Sequence, residues 1–120
     1  MKIPSPDHPI TVTPFKGQVT VKFQGVVVAQ TDKALKLEEA KYPAVFYIPR
    51  SDIRAERYTR TEHQTHCPYK GDASYYSLEA DGKTAENAVW TYDEAYPSVA
   101  EIKEHVAFYS NKVTFEVKSA

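Results

Sequence analysis

The chain has 120 residues and a mass of 13.6 kDa, the size of one domain. Hydrophobic residues at 42% and charged residues at 26% supply a core, which excludes a disordered or collagen-like chain. Fifteen Lys plus Arg against sixteen Asp plus Glu leave a formal charge of −1, which argues against a duplex DNA binder held by phosphate neutralisation.

Residues 1–17 carry Pro4, Pro6, Pro9 and Pro14 and end on Gly17. Proline fixes φ and cannot donate to a ladder, so this stretch reads as an extended arm ahead of a single β-rich domain over 18–120. Met1-Lys2-Ile3-Pro4-Ser5-Pro6 lacks the apolar stretch of a signal peptide. Val19, Val21 and Phe23 alternate with polar residues, the period of a half-buried strand, and Val26–Ala29 continues it beyond Gln24-Gly25 as a hairpin. Leu35 and Leu37 mark a short third strand, in a stretch that also holds good helix formers. Ala44–Ile48 is β-branched and aromatic between Pro43 and Pro49 and reads as a buried strand.

Residues 51–74 show no period and read as a long connection; ordered connections of that length are usually functional. Ser74–Ala80 and Lys83–Tyr92 flank Asp81-Gly82, the strongest hairpin signal in the chain. Of the adjacent Tyr75 and Tyr76, one faces the interior. Pro97, Val99, Ile102 and Val106 have the spacing of a short amphipathic helix with proline in its first turn. Val113, Phe115 and Val117 alternate in a closing strand. The expected fold is mainly β, six or seven strands and one short helix, as a compact two-sheet sandwich or half-barrel.

No apolar run approaches the ~18 residues of a membrane span, so neither membrane nor nucleic acid is an expected partner. One cysteine cannot form an internal disulfide, which favours a cytoplasmic setting, and a monomer or homodimer is expected. Phosphate-cradling and nucleophile-elbow motifs are absent: there is no Gly-x-x-x-x-Gly-Lys, Gly-x-Gly-x-x-Gly or Gly-x-Ser-x-Gly.

Chemistry-bearing residues concentrate in Thr65-His66-Cys67-Pro68-Tyr69-Lys70-Gly71-Asp72. A nearby cation such as Lys70 or protonated His66 favours the thiolate of Cys67. Pro68 biases Cys67 toward extended backbone, which places His66 and Lys70 on one side and Cys67 and Tyr69 on the other. A base for Cys67 would then come from His63, His105 or a carboxylate across the fold. The plain alternative is that Cys67 is buried and inert. His63, His66, Cys67 and His105 are metal-ligand types, but their spacing lacks the Cys-x-x-Cys pairs of zinc sites, so no metal and no cofactor is expected. Arg50, at the end of the Phe46–Pro49 strand, can grip an oxyanion, or simply pair with an acid such as Asp52.

The chain resembles the domain of unknown function 427 family. The resemblance rests on His8-Pro9-Ile10, the Val19–Ala29 hairpin, Tyr47-Ile48-Pro49-Arg50, Ser74-Tyr75-Tyr76, Ala88-Val89-Trp90-Thr91-Tyr92, His105–Tyr109 and above all the His-Cys-Pro-Tyr-Lys-Gly string. It implies a compact β-rich domain and no particular activity. A nucleotidyltransferase activity would need a Gly-Ser and paired-Asp pattern that is missing. The outline also resembles β-tent domains, which bind small molecules between two sheets and carry two Cys-x-x-Cys zinc knuckles; with one cysteine, only the pocket could remain. The expected site is a small-molecule pocket in which Arg50, His66, Cys67 and Lys70 meet, walled by Tyr47, Tyr76, Trp90 and Tyr92. It would take a small anionic or planar ligand. If the pocket is catalytic, Cys67 is the nucleophile, a histidine such as His66 the base, and Lys70 or Arg50 the charge stabiliser. The alternative is a non-catalytic binding or interaction module in which the segment is structural.

Overall fold

The computed structural model describes residues 1–120, folded as ten strands in two antiparallel sheets where the periodicity reads six or seven strands. Strands β2 (Gly17–Phe23) and β3 (Val26–Thr31) form the expected hairpin. Gln24 and Gly25 turn it at φ 53° and 75°, the left-handed pair whose twist matches the flanking strands. β10 (Thr114–Ser119) pairs along the other edge of β2, giving a three-stranded sheet in the order β10-β2-β3.

The larger sheet begins with β1 (Ile10–Pro14), β4 (Leu35–Glu39) and β5 (Val45–Pro49). It continues through β9 (His105–Phe108), β8 (Lys83–Thr91), β7 (Gly71–Ala80) and β6 (Tyr58–Cys67), in the order β1-β4-β5-β9-β8-β7-β6. Within the stretch read as an arm, residues 10–14 are therefore an edge strand, with Val12 opposite Leu37. An edge is where Pro14 can sit in a strand without costing the sheet a donor. The Asp81-Gly82 turn joins β7 to β8 with φ 53° and 73°, as the sequence signal requires.

Two elements differ from expectation. The supposed long connection over 51–74 is mostly the β6–β7 hairpin, preceded by short 3₁₀ turns at Arg50–Asp52 and Ala55–Arg57. β6 is the outer strand of its sheet and every residue in it is exposed or half-exposed, so no apolar alternation marks it. The helix expected from Val99 to Val106 is a 3₁₀ segment, Pro97–Ile102, with non-helical Val99 inside. Glu104 then adopts φ 63°, which ends any helix, and Val106 belongs to β9.

Strand alternation feeds two cores on opposite faces of the large sheet. Ile48, Leu78, Val89, Val106 and Phe108 pack against the small sheet through Val19, Val21 and Val28. Their strand neighbours Tyr47, Trp90 and Ala107 point the other way, into a second core with Leu37, Tyr75 and Tyr92. Val99 and Ile102 of the 3₁₀ segment are fully buried in that second core.

Candidate functional site

The second core is not filled. A cavity of about 200 Å³ opens from it, bounded by Tyr47, Tyr75, Trp90, Tyr92 and Tyr109, by the apolar Leu37 and Val45, and by Lys70 and Glu39. The aromatic walls are fixed by sheet register: Tyr75 on β7 lies opposite Trp90 on β8, and Trp90 lies opposite Ala107 on β9. Trp90 donates its Nε1–H to the Tyr47 hydroxyl at 3.2 Å, with the two rings edge to face. Tyr75 and Tyr109 stack with hydroxyls 3.3 Å apart, and Thr65 lies 2.9 Å from the Tyr75 hydroxyl. These two tyrosines also border an open polar cleft that includes His63, Asn87 and Lys112.

One end of the cavity is ionic. Lys70 is buried and donates from Nζ to Glu39 Oε1, while Glu39 Oε2 lies 2.8 Å from His8 Nε2. The Glu39 side chain is only 13% exposed. Burial pushes its carboxyl up, but hydrogen bonds from Lys70 and His8 outweigh that and hold it below the usual carboxylate range. The His8 ring stacks on Tyr69 with centroids 4.0 Å apart, and the Lys2 amide donates to the Pro68 carbonyl at 2.7 Å. The N-terminal residues thus pin the Pro68–Lys70 turn from outside and orient the Glu39 carboxylate from behind. Burial raises the Tyr47 and Tyr92 hydroxyl pKa values well above the ordinary phenol, and Tyr109, next to Tyr75, is pushed up to about 12. All three walls are neutral phenols at physiological pH.

Of the residues expected at the site, Tyr47, Lys70, Trp90 and Tyr92 line this cavity; Arg50, His66, Cys67 and Tyr76 do not. Arg50 turns toward the opposite face of the sheet, where Nη2 donates to Thr91 Oγ1 at 3.0 Å and Asp93 Oδ1 at 2.5 Å. Its acidic partner is Asp93 rather than the expected Asp52, which instead accepts from Thr31. Arg60 donates to the other Asp93 oxygen and lies over the Tyr76 ring, so Tyr76 belongs to this second cluster. Burial raises the Asp93 pKa, but the two guanidinium groups more than reverse it and leave it low. The guanidinium, sulfur and ammonium groups therefore do not share one hollow. The cause is period-two geometry: Tyr75 and Tyr76 face opposite ways, and so do Trp90 and Thr91.

His66 and Cys67 also separate as consecutive strand residues must. His66 is exposed and lies 2.6 Å from Asp72, whereas Cys67 is half-buried against the apolar second core. None of the four histidines bonds the sulfur. His8 is held by Glu39, His63 packs on Tyr75, and His105 on β9 lies near the Lys103 carbonyl.

Sequence reasoning missed Glu39, His8, Tyr75 and Tyr109. Choosing between Tyr75 and Tyr76 needed the register of β7, which no local signal carries. Glu39 and His8 meet Lys70 only because β1, β4 and the β6–β7 turn converge.

The sequence model of a family described as a domain of unknown function (DUF427) matches residues 11–119. The chain belongs to that family. No curated protein matches it.

Proposed function

We propose that this DUF427 family member is a small-molecule binding domain whose site is the aromatic cavity with the Lys70–Glu39 pair at one end. The observation that carries the reading is the unfilled space itself, at the edge of the second core with exposed Tyr42 and Tyr109 at its border. An apolar cavity of about 150 Å³ holds a benzene ring, so about 200 Å³ fits one ring with a small substituent. Binding sites combine apolar and aromatic walls with a few convergent polar groups, and this cavity has that composition. A buried ion pair costs desolvation and is weak as a stabilising device, which favours a role for Lys70 and Glu39 beyond holding the fold.

The site binds its ligand without Cys67 chemistry. The sulfur lies among apolar side chains with no imidazole in reach of a hydrogen bond, whereas a cysteine nucleophile needs an adjacent base or another means of forming thiolate.

The chain has a single tryptophan, so its indole N–H gives one isolated NMR resonance that reports the cavity wall directly. Single-ring aromatic compounds are expected to move that resonance. Val45→Phe, which projects a ring into the space, is expected to abolish the response while the protein stays folded. If no planar compound shifts the Trp90 signal at millimolar concentration, the cavity is a packing defect and the proposal fails. A Cys67→Ala variant is expected to bind like the parent.

A further inference from the structure

We propose that the ligand presents an oxygen acceptor, a carboxylate or carbonyl on its ring, to the ammonium group of Lys70. The inference rests on the cavity being a ligand site and names the chemistry that site selects.

Lys70 Nζ carries three N–H donors, and one partner, Glu39, occupies one of them. The Lys70 side chain is 11% exposed and lines the cavity, so a ligand there can take up its spare donors. The one carboxylate beside it is already paired, because Glu39 meets Lys70 with one oxygen and His8 with the other, so its charge is compensated within the protein. Tyr47 accepts from Trp90 and keeps its own O–H proton to offer, and Tyr92 has no side-chain hydrogen bond within the protein. The charged group with capacity to spare beside the space is therefore a cation, and its spare atoms are donors.

A ring bearing an amine would bring a second ammonium against Lys70 and find the one carboxylate already taken. A ring bearing an oxygen meets unused donors from Lys70 and the phenols, with its flat faces between Trp90 and the tyrosines. The size agrees, since the volume admits one ring with one small substituent. Charge-assisted hydrogen bonds are among the stronger ones, so an oxygen acceptor placed at Lys70 gains most from the donors Glu39 does not use.

Three probes matched in ring and size separate the alternatives: benzoate, acetophenone and benzylamine, each titrated against the Trp90 indole resonance. Benzoate and acetophenone are expected to bind at least tenfold more tightly than benzylamine. Lys70→Met is expected to remove that preference. Glu39→Gln, which frees the full Lys70 charge, is expected to strengthen benzoate relative to acetophenone and so tells an anion from a neutral carbonyl. Benzylamine binding as tightly as benzoate, or an oxygen preference that survives Lys70→Met, overturns the inference while leaving the cavity a binding site. Should Lys70→Met fail to fold, benzoate affinity unchanged in Glu39→Gln refutes it instead. Silence from all three probes removes the underlying site and this inference together.

Discussion

Replacing Glu39 with glutamine tests the ionic end of the cavity without changing its shape. The side chains of Lys70 and Glu39 are 11% and 13% exposed, so the pair is close to fully buried. Removing one partner of a buried pair typically costs about 3–5 kcal/mol, because the remaining charge loses its compensation. Residual solvent contact and the acceptor oxygen that glutamine retains bring the expected loss to about 2–3 kcal/mol. For a chain of this size that lowers Tm by roughly 10 °C. The pH dependence makes the test specific. Glu39 titrates below its ordinary value near 4.5 in the folded protein, so its stabilisation is present above that pH and disappears as the pH falls through the folded pKa. The gap between parent and Glu39→Gln, from urea unfolding at several pH values, should be constant above about pH 5 and shrink toward zero in stronger acid. Asp93 is also depressed, but it is present in both proteins and cancels from the difference. A gap that stays constant down to pH 3, or widens in acid, refutes the assignment of Glu39 as the charged partner of Lys70.

Tyr58→Phe removes a hydroxyl that donates to the Val28 carbonyl at 2.8 Å; because Arg54 N–H also donates to that carbonyl, urea unfolding should register a loss of only about 1 kcal/mol. Gly82→Ala meets nothing within 4 Å and suffers only the left-handed backbone, about 1 kcal/mol, whereas a Cβ at Gly17 would lie 2.2 Å from the Lys118 carbonyl oxygen. Gly17→Ala should therefore lower Tm several times further than Gly82→Ala, and equal losses would contradict the register of β2 against β10. Asp93→Ala leaves Arg50 and Arg60 facing each other at a partly exposed site; the loss should be about 1 kcal/mol and larger at low ionic strength, read from melting curves across a salt series.

Much of the fold was legible because its signals are local. Val19, Val21 and Phe23 alternate over a buried face, and Asp81-Gly82 supplies the left-handed turn that its hairpin needs. β6 was not legible: its residues are exposed or half-exposed, so the alternation that marks a half-buried strand never arises. Val99, Ile102 and Val106 mimic a helical stripe because a 3₁₀ segment and the following strand bury them from two different elements. Tyr47, Lys70, Trp90 and Tyr92 of the expected site line the cavity, and for Trp90 and Tyr92 the strand period alone puts both on one face. Arg50 and Tyr76 went to the other face because adjacent strand positions diverge, and choosing a face requires the register of neighbouring strands. Glu39 carried no signal at all: an acid at the end of a short strand looks solvent-facing until His8 and Lys70 arrive from distant parts of the chain.

The pairing of β10 with β2 sets Gly17 opposite Ser119 and so joins segments that lie far apart in sequence. During synthesis the early β2–β3 hairpin must wait, with one edge of β2 unpaired, until β10 has left the ribosome. Closing so long a loop delays the reward for ordering it, and the physics of chain closure places such a topology among slow folders, on the millisecond-to-second scale. Over that interval the open edge of β2 is the place where a nascent chain is most exposed to pairing with a neighbour, and where a chaperone would have most to shield.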